Sequence, residues 1–362
     1  MKHRVLITTN TYFQLIVAVQ LKLTRFSSDE VDVIITDHSA GSEEAAERLR
    51  ELGLFRGVFF VRDSISPEHG SLQTKCSNYA RAWLRPRTIL SEMVRLNDDY
   101  DTFLFHNASL LTHLIWRVFR LQVTCYRFEE GFSTYTRPFL EKKPLFKVLI
   151  KAGFGDLEKH TKGLFLFHPE LWRKKTGYPV ITIPPMERED HELQRVFNHT
   201  FGYDAQRDGI PEKYIFMEES FRASGVEIDD VELVCEIAEA VGRENLVVKL
   251  HPRSTEDPFS ACGLKVSRLS QVPWEVVLLN ENLSEKTLLT ITSGSVLASA
   301  LYFEQRIRAY LLYRCITKKS PMLNDEYFRY MRDVCAHNES FLIPEDMGEL
   351  MNHLENLNGD RT

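Results

Sequence analysis

None of the six cysteines (Cys76, Cys125, Cys235, Cys262, Cys315 and Cys335) has a neighbour at C-x-x-C spacing, and none falls into a zinc-ligand pattern. That excludes a disulfide framework and a cysteine-based metal module, and reduced, mostly buried thiols in a cytoplasm are expected. No apolar run approaches the roughly 18 residues that span a bilayer. Val5 to Thr9 is too short for the apolar region of a secretion signal and is followed by no small-residue cleavage site. A cytoplasmic location is expected, with membrane contact at most peripheral. The fingerprint G-x-G-x-x-G is missing, which removes the usual dinucleotide-binding turn. The Asp-x-Asp of the sequence, Asp99-Tyr100-Asp101, lies before a predicted strand rather than after one, so no metal site is expected. There is no excess of one charge: 45 basic against 51 acidic residues leave a formal charge of -6, interspersed along the chain. A nucleic-acid-binding surface over the whole molecule is thereby excluded. Internal repeats and low-complexity segments are absent as well.

What is there has ordinary globular composition, 43% apolar and 27% charged. At 362 residues the chain exceeds the size at which one core keeps growing, so two domains are expected. Short apolar runs alternate with longer amphipathic ones, the pattern of βαβ units around a parallel sheet. In the first half, strands are predicted at Val5 to Thr9, Val31 to Thr36, Val58 to Val61, Thr102 to His106 and Val123 to Phe128. Helices are predicted at Phe13 to Phe26, Gly41 to Gly53, Asn78 to Leu96 (broken near Pro86) and Leu110 to Leu121. Prolines then punctuate the chain between about 134 and 211, with strand-like runs only at Leu164 to Phe167 and Val180 to Ile183. A second alternating series starts at Tyr214 to Met217. It continues through Asp229 to Val241, Leu246 to Leu250, Trp274 to Leu279, Leu288 to Thr292, Val296 to Phe303 and Ile307 to Leu312. The expected organisation is α/β, with two Rossmann-like doubly wound domains over residues 1–200 and 212–362 facing a central cleft. The helical tail, Asp325 to Val334 and Pro344 to Leu357, is expected to cross back to the first domain.

In open α/β sheets ligands bind beyond the carboxyl ends of the strands, so polar residues just after predicted strands are the candidates. Glu129-Glu130-Gly131 follows one such strand. Adjacent carboxylates repel, which raises one pKa, and glycine lets the backbone bend close to a ligand, as a general base requires; a solvated acidic loop is the competing reading. His251-Pro252-Arg253 follows another, with Lys249 two residues earlier. It offers donors to a phosphate and an acid for a leaving nucleotide, against a purely structural histidine. Thr292-Ser293-Gly294-Ser295 joins a strand to a small-residue helix, where hydroxyls and backbone N–H groups suit either a phosphate or simple capping. Asn10 and Gln14, in Thr8 to Leu15, suit a sugar or a helix cap, and His106 and Asn107 stand at a further strand end. Lys142, Lys143, Lys147 and Lys151 alternate with Phe139, Leu140, Leu145, Phe146, Leu149 and Ile150, so segment 139–151 is a candidate for peripheral contact with an anionic membrane or glycan, or an amphipathic linker helix.

Taken in order, Glu129-Glu130-Gly131, His251-Pro252 and Ser293-Gly294-Ser295 resemble the D/E-D/E-G, H-P and Ser/Thr motifs of bacterial sialyltransferases. The likeness is to the lipooligosaccharide sialyltransferase family 52 and the bacterial polysialyltransferases, both of the GT-B type. Thr11 to Leu15 is similar in placement to an N-terminal motif of that group. The motif match covers about a dozen residues. The resemblance implies an inverting, metal-independent transfer of sialic acid from CMP-sialic acid to a capsule or lipooligosaccharide acceptor. It further implies Glu130 as base with Glu129 in support, His251 assisting departure of CMP, and Ser293 and Ser295 on its phosphate. Two departures stand out: Gly294 splits the serines, although Thr292-Ser293 is contiguous, and Glu218-Glu219 make the loop after Met217 more acidic than the family pattern. These carboxylates suit the cytosine amino group or the ribose, or else another donor. CMP-Kdo or another nonulosonic acid, a UDP- or GDP-hexose and a CDP-polyol phosphate are the alternative donors. A non-catalytic glycan- or nucleotide-binding module is the alternative of another class.

Overall fold

A computed structural model of the chain describes residues 2–62, 71–136, 157–219, 221–222, 225–251, 254, 256–267, 269, 272–318 and 326–359. Segment 139–151, Pro252 and Arg253 lie outside the described residues. The chain divides into two compact units, Met1–Pro184 with Arg195–Thr200, and Pro185–Gln194 with Phe201–Thr362.

In the first unit, β1 (Arg4–Thr9), β2 (Glu30–Thr36), β3 (Gly57–Val61), β4 (Thr102–Phe105), β5 (Thr124–Phe128), β6 (Thr161–Leu166) and β7 (Val180–Thr182) form one sheet in the order β3-β2-β1-β4-β5-β6-β7. Every pairing is parallel. The helices α1 (Tyr12–Leu23), α2 (Ser42–Glu51), α3 (Leu72–Leu84), α4 (Pro86–Met93), α5 (Leu110–Phe119) and the short α6 (Ser133–Thr136) connect its first strands and follow β5. Because helices cover both faces of such a sheet, its strands read as unbroken apolar runs; β1 is buried from Val5 to Thr9 and β4 throughout. Phe103, Phe105, Leu114 and Ile115 are fully buried in one core cluster, each contributing about 1.5–3 kcal/mol through removal from water. The predicted long helix is two helices, because Pro86 lacks the N–H that would continue α3 and instead starts α4 at its first turn.

The strand-like runs at 164–167 and 180–183 are β6 and β7, the sixth and seventh strands of the first sheet. Gly163 makes the β5–β6 pairing possible at the point where its register shifts. A β-carbon there would lie 2.9 Å from the ring of Tyr126 on the neighbouring strand.

The second unit repeats the plan. Strands β8 (Tyr214–Met217), β9 (Leu246–Lys249), β10 (Lys265–Val266), β11 (Thr287–Thr290), β12 (Arg308–Leu311) and β13 (Phe341–Leu342) lie in the order β10-β9-β8-β11-β12-β13, all parallel. Its core joins Phe216, Val234, Ile237, Val248, Leu289 and Tyr310 to Leu350 and Leu354 of the last helix, Met347–Gly359. The last helix packs on the helix Asp230–Val241 of the same unit, and Lys213 Nζ donates to the carbonyl of Leu357 at 3.0 Å. Among the described residues no helix is long and apolar enough to cross a membrane.

Candidate functional site

Each sheet reverses its winding once, between β1 and β4 in the first unit and between β8 and β11 in the second. Ligands of open α/β sheets bind beyond the carboxyl ends of the strands at such a switch point. The residues following β1, β4, β5, β8, β9 and β11 therefore define the candidate site in each unit.

At the end of β1, Thr9 Oγ1 donates to the carbonyl of Ile34 at 3.0 Å, and Thr8 Oγ1 to that of Leu104 at 3.5 Å, tying the strand to both neighbours. Gln14 Oε1 accepts from the backbone N–H groups of Asn10 (2.7 Å) and Thr11 (3.0 Å), while Thr11 Oγ1 accepts from Gln14 N. This is a capping box, so the buried Gln14 is committed to the start of α1. Asn10 Oδ1 accepts from Thr36 Oγ1 at 3.2 Å. After β4, Asn107 Oδ1 accepts from the N–H of Ser109, which in turn caps α5. His106, 1% exposed, occupies the first position beyond β4.

After β5 the two glutamates part. Glu129 is fully buried: its Oε2 accepts from Tyr135 Oη at 2.7 Å and from Phe167 N at 3.0 Å, and its own N–H donates to the carbonyl of Phe165. It is a tie between β5, the end of β6 and α6. Burial, and the Glu129 charge beside it, push the Tyr135 phenol far above its ordinary pKa, so Tyr135 stays a donor. Glu130 projects outward with a partly exposed carboxylate, while its N–H donates to Thr134 Oγ1 at 2.9 Å. Its Oε2 lies 3.7 Å from His106 Nδ1. Gly131 turns the chain at φ +118°, a conformation that side chains disfavour, and passes close to Phe13 of α1. The structure thus brings Glu130, His106 and the β1–α1 turn to one end of the first sheet.

In the second unit Glu218 and Glu219 follow β8, and each holds a different loop. Glu218 Oε2 accepts from His251 N (2.8 Å) and Ser254 Oγ (2.7 Å), and its Oε1 from Arg222 at 3.4 Å. Burial raises its pKa against these bonds. Glu219 accepts from Thr290 Oγ1 (3.0 Å), from Thr292 Oγ1 (3.0 Å) and from the N–H of Thr292. Burial pushes its carboxyl up to about 7. Lys249, the last residue of β9, is buried, and that burial brings its amine down to about 8 despite the nearby Glu275 carboxylate. Following β11, Ser293 N donates to Thr290 Oγ1 (3.2 Å), Ser295 N to Ser293 Oγ (3.3 Å), and the two serine hydroxyls meet at 2.7 Å. The N–H groups of Thr292, Ser293 and Ser295 are thus satisfied internally. Residues 292–295 are partly exposed, and the two serine hydroxyls stand at the start of the 3-10 helix Gly294–Leu297.

Sequence reasoning missed Tyr135, Thr134, Ser254, Arg222 and Thr290, which hold the glutamates and the loops. Thr290 alone carried a signal, as a polar residue ending an apolar strand. A cavity of 560 Å³ opens at the other end of the first sheet, lined by Thr161 of β6, Pro179 just before β7, Lys162 and Lys175, and belongs to neither switch point.

No family model matches the chain, and no characterised protein matches it in sequence. Solved structures do. UDP-GlcNAc 2-epimerase from Methanocaldococcus jannaschii is similar at 12% identity over 98% of this chain and 92% of that one, with a TM-score of 0.53. An α/β-galactoside α-2,3-sialyltransferase from the marine bacterium Photobacterium phosphoreum is similar at 10% identity over 95% and 99%, with a TM-score of 0.51. An Arabidopsis thaliana protein complexed with UDP-L-rhamnose is similar at 13% identity over 100% and 91%, with a TM-score of 0.53. The fold is of the GT-B type. The described residues form a seven-stranded and a six-stranded parallel sheet, each with polar residues at its switch point.

Proposed function

We propose that the protein is an inverting, metal-independent glycosyltransferase that moves sialic acid from CMP-sialic acid to a glycan acceptor of the cell surface. The observation that carries this reading is the Glu130 carboxylate, partly exposed at the end of β5 on a glycine turn beside His106, while its neighbour Glu129 is committed to the fold. Glu130 takes the proton of the acceptor hydroxyl as that oxygen bonds to the anomeric carbon. The bond from the anomeric carbon to the phosphate oxygen breaks, and CMP leaves with the electron pair. His251, whose loop Glu218 holds at the end of β9, donates to the departing phosphate, and Ser293 and Ser295 bind it through their hydroxyls. Glu218 and Glu219 serve the donor indirectly by holding those two loops.

The GT-B neighbours include proteins named for UDP-sugars as well as a sialyltransferase, so the choice of donor rests on the order of the motifs. The deciding assay is CMP release from CMP-sialic acid in EDTA, with and without a galactose-terminated or sialylated acceptor. Acceptor-stimulated release is expected. Thermal stabilisation by UDP, GDP or CDP in place of CMP, with no CMP release, would replace the donor in this reading.

A further inference from the structure

His106 sits at the first position beyond β4, directly at the switch point of the first sheet. It is 1% exposed, and among the described residues neither ring nitrogen has a hydrogen-bond partner. A buried imidazole left in that state is costly, because each unsatisfied polar atom forfeits its hydration for nothing. The ring is held in place nonetheless. It packs edge-to-face with the ring of Phe128, centroids 5.8 Å apart, and its backbone carbonyl accepts from the buried Arg127 Nε at 3.2 Å. Its Nδ1 stands 3.7 Å from Glu130 Oε2, within ion-pair range and short of a formed hydrogen bond.

From this geometry we infer that His106 is the positioning residue of Glu130: a neutral imidazole whose Nδ1–H engages one carboxylate oxygen and so aims the other at the acceptor hydroxyl. The inference rests on the reading of Glu130 as base. Neutrality is what makes the arrangement useful. A fixed cation at that distance would hold Glu130 as a carboxylate too weakly basic to take a proton, whereas a neutral donor orients it without that penalty. The groups facing the ring agree. Burial lowers the His106 pKa, Arg127 on β5 and His38 beyond β2 lower it further, and Glu130 alone opposes them. Nε2 remains buried away from solvent, so His106 acts through Glu130 and does not touch the acceptor.

The test compares His106→Asn, His106→Gln and His106→Leu with Glu130→Gln in the CMP-release assay. The asparagine amide places an N–H near the Nδ1 position, whereas that of glutamine falls near Nε2. We expect His106→Leu and His106→Gln to lower kcat by about 10- to 100-fold with both KM values unchanged, and His106→Asn to recover most of the loss. Glu130→Gln is expected to lose about 10²- to 10⁴-fold. The kcat–KM split, and recovery by asparagine only, separate positioning from packing. If His106→Leu fails to fold, the asparagine–glutamine pair decides alone. Glutamine matching asparagine overturns the inference, as does His106→Leu at the wild-type rate, provided Glu130→Gln is inactive. A near-normal Glu130→Gln instead removes the base reading and this inference with it.

Discussion

Tyr135 donates its hydroxyl hydrogen to Glu129 Oε2 at 2.7 Å, and the same oxygen accepts from the backbone of Phe167. Tyr135 Oη also accepts from His168 N at 3.1 Å, so a single buried pair pins the strand-end loops after β5 and β6 together. Glu130, one residue on, is thereby held at a fixed height above the sheet. Two adjacent glutamates, alike in sequence, have different tasks because a strand alternates its side chains and only one of them meets β6.

Replacing Tyr135 with Phe is expected to cost about 2 kcal/mol, since it removes a hydrogen bond to a buried charge. Urea denaturation measures this. Glu129→Gln is expected to retain kcat to within a few-fold at temperatures where it is folded, in contrast to Glu130→Gln. Equal loss of kcat in both variants would show that the two carboxylates act as a pair.

Glu219 sets a pH dependence. Its carboxyl is raised by burial to about 7 from the ordinary 4.5. Between those values the folded chain keeps a proton that the unfolded chain has released. The stability from this group is therefore full below about pH 4.5 and lost as the pH rises through about 7. Glu219→Gln keeps an acceptor for Thr292 and carries no titration. Thermal melting from pH 5 to 8 is expected to show the wild type falling relative to this variant, with Glu219→Gln the more stable at pH 8. Parallel curves would assign the pH dependence to other groups.

The amino ends of the first sheet supply a control. Asp32, fully buried in β2, accepts from Tyr100 Oη (2.6 Å) and, through both its oxygens, from Arg56 (3.0 and 2.7 Å). Arg56 reaches on to Glu30 and Asp99, and its pKa is raised chiefly by the bond to Asp32. This cluster lies at the opposite ends of the strands from the switch point. Asp32→Ala is expected to destabilise by about 1–3 kcal/mol, since it removes the acceptor of the buried Tyr100 hydroxyl while the more exposed Arg56 keeps Glu30 and Asp99, with kcat of the folded fraction unchanged. A lowered kcat in the folded fraction would connect the two ends of the sheet.

How far the sequence could be read follows from which forces act locally. The strands β1, β2, β4, β8, β9 and β11 announce themselves because a doubly covered parallel strand is an unbroken apolar run. β10 and β13 have two residues each and carry no periodicity at all. β6 and β7 were visible as runs, yet their membership of the first sheet depends on the close approach of Gly163 to Tyr126, a long-range contact. At the site, Glu130 and His251 were legible as polar residues after strands. The cap formed by Gln14 was legible too, because its partner Thr11 is three residues away, whereas the commitment of Glu129, Glu218 and Glu219 to holding loops was not, since each depends on partners such as Tyr135, Ser254 or Thr292 that only the fold supplies.

Ser293 and Ser295 carry the last prediction. Their hydroxyls lie 2.7 Å apart at the end of β11, and the N–H of Ser295 is already used by Ser293 Oγ. Ser293 is therefore both cap and candidate phosphate ligand, whereas Ser295 contributes a hydroxyl alone. Ser293→Ala is expected to cost about 1 kcal/mol of stability through loss of the cap, and Ser295→Ala clearly less. Each hydroxyl bonded to a charged phosphate is worth about 1.5–3 kcal/mol, so both variants are expected to raise the donor KM by about 10-fold or more with kcat changed less. The double variant separates the two effects. If the serines share one phosphate, its KM exceeds either single value, while its stability matches Ser293→Ala. A double variant with wild-type donor KM and lowered stability would reduce this turn to a cap and move the phosphate to the loop of His251.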